Sequence, residues 1–126
     1  MSKTILIVED DPFIAMDLQD TFEDAGFNVL GPVASVNPGL DIISKTKPDV
    51  AMLDYNLGKE TSIPIAHRLD AIKIPYVFLS GQVSSVVTAN VETKHKVIMK
   101  PFNAEVLINY VNELVEAHAG GETILD

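Results

Sequence analysis

Apolar residues along this chain follow two patterns that alternate. Short continuous runs occupy Ile5–Val8 (I-L-I-V), Val50–Leu53 (V-A-M-L), Tyr76–Leu79 (Y-V-F-L) and Val97–Met99 (V-I-M), each bounded by polar residues or by Pro and Gly. Strands covered on both faces of a parallel sheet read this way, because neither face needs polar side chains. A fifth run, F-N-V-L-G-P-V-A over 27–34, contains Gly31 and Pro32. It reads as an edge strand or one that ends early, since proline cannot donate to a ladder. Between the runs the apolar spacing lengthens to that of helices. Ile14, Leu18, Phe22 and Ala25 share one face, with Asp11 as N-cap, Pro12 at the first helical position and Gly26 as the stop. A second, weaker helix opens at Asn37-Pro38 and carries Leu40 and Ile43. A third starts near Pro64 and carries Ala66, Leu69 and Ile72. Asn103 caps a last one, with Leu107, Tyr110, Val111 and Leu114 as its stripe. Residues 83–94 have helical spacing but many β-branched side chains, which are poorer helix formers, and read as a short helix. Met16, Met52 and Met99 read as core.

Strand and helix thus alternate five times, which predicts a doubly wound α/β fold of the flavodoxin-like kind: a five-stranded parallel sheet, (βα)5, in the order 2-1-3-4-5. In such sheets ligands sit outside the carboxyl ends of the strands, where the strand order reverses.

Composition narrows the class. With 126 residues the chain makes one domain with one core, and 47% hydrophobic against 21% charged residues describes a folded protein, not an acidic tail. No apolar run approaches bilayer length, and M-S-K-T-I lacks the regions of a signal peptide, so a cytoplasmic location without membrane insertion is expected. The absence of cysteine excludes disulfides, thiolate metal sites and a cysteine nucleophile. A net charge of -9 argues against a nucleic-acid surface. Part of that acidity is a cluster suited to a cation.

The residues that follow the apolar runs form a chemical set. Glu9 and Asp10 follow the first, Asp54-Tyr55-Asn56 the third, Ser80-Gly81 the fourth and Lys100-Pro101 the fifth. Each alone is commonplace: acids cap helices, Lys-Pro closes turns and Ser-Gly makes loops. Together, at successive strand ends of a chain with room for one site, they point to a single centre. Carboxylates held within a few ångströms either raise one another's pKa or bind a cation, and oxygen ligands on loops suit Mg²⁺. A lysine ammonium can hold a phosphoryl oxygen and a serine hydroxyl can donate to another. Asp54 is left as a carboxylate nucleophile able to form an acyl phosphate. His67, His95 and His118 have no spacing that suggests a metal site, Tyr55 either gates the site or covers it, and Phe102 reads as a packing anchor.

The combination I-L-I-V-E-D-D-P, L-D-Y-N, F-L-S-G and M-K-P-F resembles the receiver domain of two-component response regulators, over Lys3 to about His118. The resemblance implies that Asp54 takes phosphate from a histidine kinase or a histidine phosphotransfer protein. It implies a Mg²⁺ site, in which Mn²⁺ can substitute, with Asp10 a direct ligand, Glu9 acting mainly through water, and Asp54 and the main-chain carbonyl of Asn56 completing the protein's share. Ser80 matches the hydroxyl that bonds the phosphoryl group and Lys100 the lysine that neutralises it, with a cis bond between Lys100 and Pro101. The implied module spans 1–119, with a short tail at 120–126 and no output domain. It would act on an unidentified downstream protein, as a monomer or a weak phosphorylation-dependent dimer, and catalyse only its own phosphorylation and slow dephosphorylation. The switch region would be Ser80, Gly81, Gln82 and Val97. Many receivers carry an aromatic residue where Val97 stands, and the Gly-Ala usual before that strand is absent. F-L-S-G-Q is similar to the Phe-Ala-Thr-Gly-aromatic motif of single-domain receivers from α-proteobacteria, from which Leu79 and Gln82 depart. The alternative is an aspartate-nucleophile phosphatase of the haloacid dehalogenase type. That family, however, carries its nucleophile after the first strand with a second acid two residues on, where this chain has Asn56.

Overall fold

The computed structural model describes residues 3–81 and 97–119. Five parallel strands form the sheet: β1 (Thr4–Val8), β2 (Asn28–Val33), β3 (Val50–Asp54), β6 (Tyr76–Ser80) and β7 (Val97–Met99). Their spatial order is β2-β1-β3-β6-β7. Counting only these five in chain order, this is the expected 2-1-3-4-5. Two further strands, β4 (Asn56–Leu57) and β5 (Glu60–Thr61), make a small antiparallel hairpin immediately after β3, which the sequence pattern did not announce.

The period of two along each strand sorts the core into two layers. Leu6, Val8, Ala51, Leu53, Tyr76 and Phe78 face one side and pack with Val36, Ile43, Ile65, Ala66 and Leu69 of helices α2 (Val36–Lys45) and α3 (Ile63–Ala71). Ile5, Ile7, Val50, Met52, Val77 and Leu79 face the other and pack with Leu18 and Phe22 of α1 (Pro12–Asp24) and Leu107, Val111, Leu114 and Val115 of α4 (Ala104–Ala119). Nearly all of these side chains are inaccessible to solvent, and each Val, Leu, Ile, Phe or Met among them is worth roughly 1.5–3 kcal/mol of transfer free energy. That is why β1, β3 and β6 tolerate uninterrupted apolar runs.

The helix boundaries follow local chemistry, with one exception. Asp11 is the N-cap of α1: its Oδ1 accepts hydrogen bonds from Phe13 N at 2.9 Å and Ile14 N at 3.3 Å. Replacing it with alanine is expected to cost about 1 kcal/mol in a thermal melt and to leave the strand-end chemistry intact. Asn103 Oδ1 accepts from Val106 N at 3.1 Å and starts α4 in the same way. Helix α2 is the exception. It begins at Val36, one residue before the expected Asn37, and its N-cap Ser35 makes no side-chain capping bond.

Two readings of α1 need correction. Its buried face is Ala15, Leu18 and Phe22, whereas Ala25 is the exposed C-cap. Met16 is 62% exposed and so is not core, because at helical spacing it falls beside Phe13, 82% exposed, on the face turned from the sheet. Met52 is buried as expected. Strand β2 lies at the sheet edge and carries one extra residue opposite β1, with Leu6 opposite Leu30 but Val8 opposite Val33. Gly31, at φ 92°, sits in this bulge; a Cβ there would lie 2.8 Å from Val33 N and 2.9 Å from Ile7 O, so only glycine fits. The Gly31–Pro32 peptide bond is cis. The expected helix at 83–94, Gln82, His95 and the tail 120–126 lie outside the described residues.

Candidate functional site

Parallel strands in register deliver their carboxyl ends to one edge, and the polar residues singled out at those ends meet there. Asp54 is the last residue of β3 and Ser80 the last of β6; Glu9 and Asp10 follow β1, and Lys100 follows β7. The Lys100 ammonium lies 3.1 Å from Glu9 Oε1 and 3.2 Å from Asp54 Oδ1. One carboxylate oxygen from each of Glu9, Asp10 and Asp54 lies within 4.8 Å of the others. Backbone bonds hold these pieces in place: Lys100 N donates to Ser80 O at 3.0 Å, Tyr55 N to Leu79 O at 2.9 Å and Glu9 N to Val33 O at 2.8 Å. The Lys100–Pro101 bond is cis.

The burial of these groups differs in a way their spacing in sequence does not convey. Glu9 is 2% exposed and Asp54 5%, whereas Asp10 faces solvent. Glu9 Oε2 accepts from Asp11 N at 3.0 Å. Glu9 Oε1 has the ion pair to Lys100 but no aligned hydrogen bond, so it retains accepting capacity. Burial, reinforced by hydrogen bonding to Glu9 and by its charge, pushes the Asp54 carboxyl up to about 7 against the opposing pull of Lys100. Burial alone would lower the pKa of Lys100, but Glu9 and Asp54 outweigh it and hold the ammonium above the ordinary lysine value. Among the described residues, the Lys100 ammonium pairs with two carboxylates of a cluster of three, Glu9 and Asp54 but not Asp10.

The neighbouring residues divide into packing and rim. Tyr55 is buried, with its ring edge-to-face against Phe78 at 5.8 Å, so it belongs to the core beneath the site. Val97 pairs with Phe78 and is partly buried against the α2/α3 layer; Phe102 packs, partly buried, on the α1/α4 layer. Asn56 is exposed at the start of the hairpin, and Gly81 is exposed after Ser80, itself 1% exposed. His67 is exposed and takes no part. Sequence reasoning missed Glu60. Its Oε2 accepts from Val36 N at 2.9 Å across 24 residues of chain. No periodicity marks such a contact.

The model of the response regulator receiver domain matches residues 5–112. The chain belongs to the response regulator receiver family. This receiver is 30% identical over 116 residues to an uncharacterized response regulatory protein of Vibrio vulnificus, covering 90% of this chain and 48% of that one. It is 30% identical over 105 residues to the phyllosphere-induced regulator PhyR of Methylorubrum extorquens, covering 81% and 39%. Against the chemotaxis protein CheY of Thermotoga maritima it is 26% identical over 118 residues, covering 90% and 98%. The receiver thus spans less than half of the first two relatives and nearly all of the third. Its fold superimposes on a response regulator receiver protein from Sinorhizobium medicae with TM-score 0.80 at 25% identity, covering 92% and 96% of the two chains. It also superimposes on the receiver domain of PhyR from Erythrobacter litoralis with TM-score 0.82 at 22% identity, covering 91% of each. The receiver is a signalling module of two-component systems, and nothing in these likenesses supports the haloacid dehalogenase-type phosphatase. Among the described residues no helix is long and apolar enough to cross a membrane.

Proposed function

We propose that Asp54 accepts a phosphoryl group from the phosphohistidine of a histidine kinase or a histidine phosphotransfer protein, and that the receiver then changes its binding to a downstream protein in the cytoplasm. The observation that carries this reading is the position of Asp54. It is a buried carboxylate at the carboxyl edge of the sheet, 3.2 Å from a lysine ammonium and clustered with two more acids. A carboxylate oxygen of Asp54 attacks phosphorus in line, the P–N bond breaks, and its electron pair leaves with the imidazole, which takes up a proton. Lys100 offsets charge on the equatorial phosphoryl oxygens, and the Ser80 hydroxyl donates to one of them once the acyl phosphate has formed.

The donor set fits Mg²⁺, or Mn²⁺ in its place. It offers hard oxygen ligands within 4.8 Å, an accepting oxygen on Glu9, and a carboxyl on Asp54 that burial and the neighbouring Glu9 push up to about 7 in the absence of a cation. Asp10 and Asp54 would ligate directly, Glu9 mainly through water, and the Asn56 main-chain carbonyl would complete the protein's share. The cation, when bound, supplies positive charge to the carboxylates and to the phosphoryl oxygens. Ser80, Gly81, Gln82 and Val97 form the segment that would respond. With valine at 97 the response rests on backbone and hydroxyl rearrangement, since this side chain lacks the bulk of a swinging aromatic ring.

Incubating the chain with a phosphohistidine donor and Mg²⁺ is expected to give one acid-stable, base-labile label per chain, followed by slow hydrolysis. Catalytic release of phosphate from many small phosphomonoesters would overturn the reading in favour of the phosphatase. Asp10→Ala, on an exposed residue, is expected to fold normally while its Mg²⁺ affinity falls more than about tenfold and its labelling falls with it. Titration calorimetry with Mg²⁺ checks the first effect and radiolabel transfer the second.

A further inference from the structure

We propose that Glu60 is a positioning residue, clamping the hairpin that carries Asn56 to the start of α2 and so holding the rim of the cation site in its binding geometry; this rests on the reading of the site given above. Three observations meet here. The bond from Val36 N to Glu60 Oε2, 2.9 Å long, joins the second strand of the hairpin to the first residue of α2. The local capping residue Ser35 makes no side-chain capping bond, and Pro38 in the same turn has no N–H to offer, so the carboxylate at this helix end comes from the hairpin. The hairpin turn in turn overlies the site: a Cβ built on Gly58 would stand 3.9 Å from Asp10 Oδ2.

These contacts close a loop around the acids. Glu9 N bonds Val33 O at the end of β2, residues 34 and 35 lead into α2, Glu60 joins α2 to the hairpin, and the hairpin returns to Asp54 through Asn56 and Tyr55. Leu57 anchors the hairpin on its apolar side, 6% exposed in the α2/α3 layer, but an apolar contact resists sliding less than a directional charge-assisted bond does. With two residues to a strand, the hairpin is closed at its base by Ser62 N donating to Tyr55 O at 3.0 Å, but a hairpin this short is only marginally stable without outside contacts. Without the Glu60 clamp, the Asn56 carbonyl and the Gly58 turn would sample positions away from Asp10, and the cation would meet fewer oriented oxygens.

The test separates clamping from helix capping. In the full chain, Mg²⁺ is titrated calorimetrically into Glu60→Ala, Glu60→Gln and the double variant Glu60→Ala/Ser35→Asn, and each is melted in chelator. Glutamine keeps the accepting carbonyl and is expected to bind Mg²⁺ within about threefold of the wild type, whereas Glu60→Ala weakens binding about tenfold. The Ser35→Asn change supplies a local cap and is expected to recover the melting temperature without recovering the affinity. Should Glu60→Ala alone not fold, the double variant carries the comparison. Wild-type affinity in Glu60→Ala, or recovery of affinity by the added cap, would overturn the clamp. Failure of the site reading looks different: the wild-type chain itself would neither bind Mg²⁺ nor take label at Asp54.

Discussion

Asp54→Asn is expected to take up no phosphoryl group from a phosphohistidine donor and, in chelator at pH 8, to be more stable than the wild type. The first effect follows from chemistry, since an amide oxygen is a poor nucleophile toward phosphorus and cannot form the acyl phosphate. Radiolabel transfer measures it, and a variant that still takes label would remove Asp54 from its role. The second effect follows from electrostatics. Burial and Glu9 push the Asp54 carboxyl up to about 7, so the folded state disfavours its ionised form. A carboxyl with a raised folded-state pKa loses stability as pH rises from the unfolded value, 3.8, to about 7, and the whole penalty is present above that. Asparagine avoids it, for a gain on the order of 2 kcal/mol at pH 8. That margin should shrink as pH is lowered through about 7, where the wild-type carboxyl takes up its proton. It should also shrink when Mg²⁺ is added. A margin that ignores both pH and Mg²⁺ would show that charge is not its source.

Lys100→Ala is expected to be the most destabilising single change at the site in the absence of cation. It removes the ammonium that lies 3.1 Å from Glu9 and 3.2 Å from Asp54, leaving two buried carboxylates facing each other. Breaking a buried pair in this way costs about 3–5 kcal/mol, and since the lysine side chain is 23% exposed the lower end applies, about 3 kcal/mol in chelator at pH 8. Millimolar Mg²⁺ should recover much of this loss, because it supplies positive charge to the same oxygens. Phosphoryl transfer should remain slow even then, since Mg²⁺ would not replace the ammonium in the role proposed for it beside the transferring group. Melting curves with and without Mg²⁺ decide the matter. A loss of the same size in both conditions would assign Lys100 to packing.

Much of this molecule is legible without coordinates because its signals are local. Continuous apolar runs mark β1, β3 and β6, since a strand covered on both faces has no position for a polar residue. Asp11-Pro12 marks the start of α1 because the caps of a helix are made by its own flanking residues, and Asn103 does the same for α4. The acids, the hydroxyl and the lysine are legible as a set for a topological reason: parallel strands bring their following residues to one edge whatever lies between them. The misreadings have equally local causes. Apolarity alone places Met16 in the core, but helical phase turns it outward beside Phe13, and exposed methionine differs from buried methionine only in its neighbours.

What the chain determines by itself, then, is the order of its elements, the two-sided burial of its central strands and the identity of the groups at the strand ends. Periodicity, capping and the apolar character of each run act over a few residues and are written in them. Only the tertiary structure decided which of three adjacent acids is buried, making Glu9 a partner of Lys100, Asp10 a solvent-facing ligand candidate and Asp11 a helix cap. It also decided that a glutamate 24 residues away, and no side chain of its own flank, caps α2. Burial and long-range hydrogen bonds depend on where separate segments meet in space. That meeting is a property of the packed chain as a whole, beyond the reach of any short stretch of it.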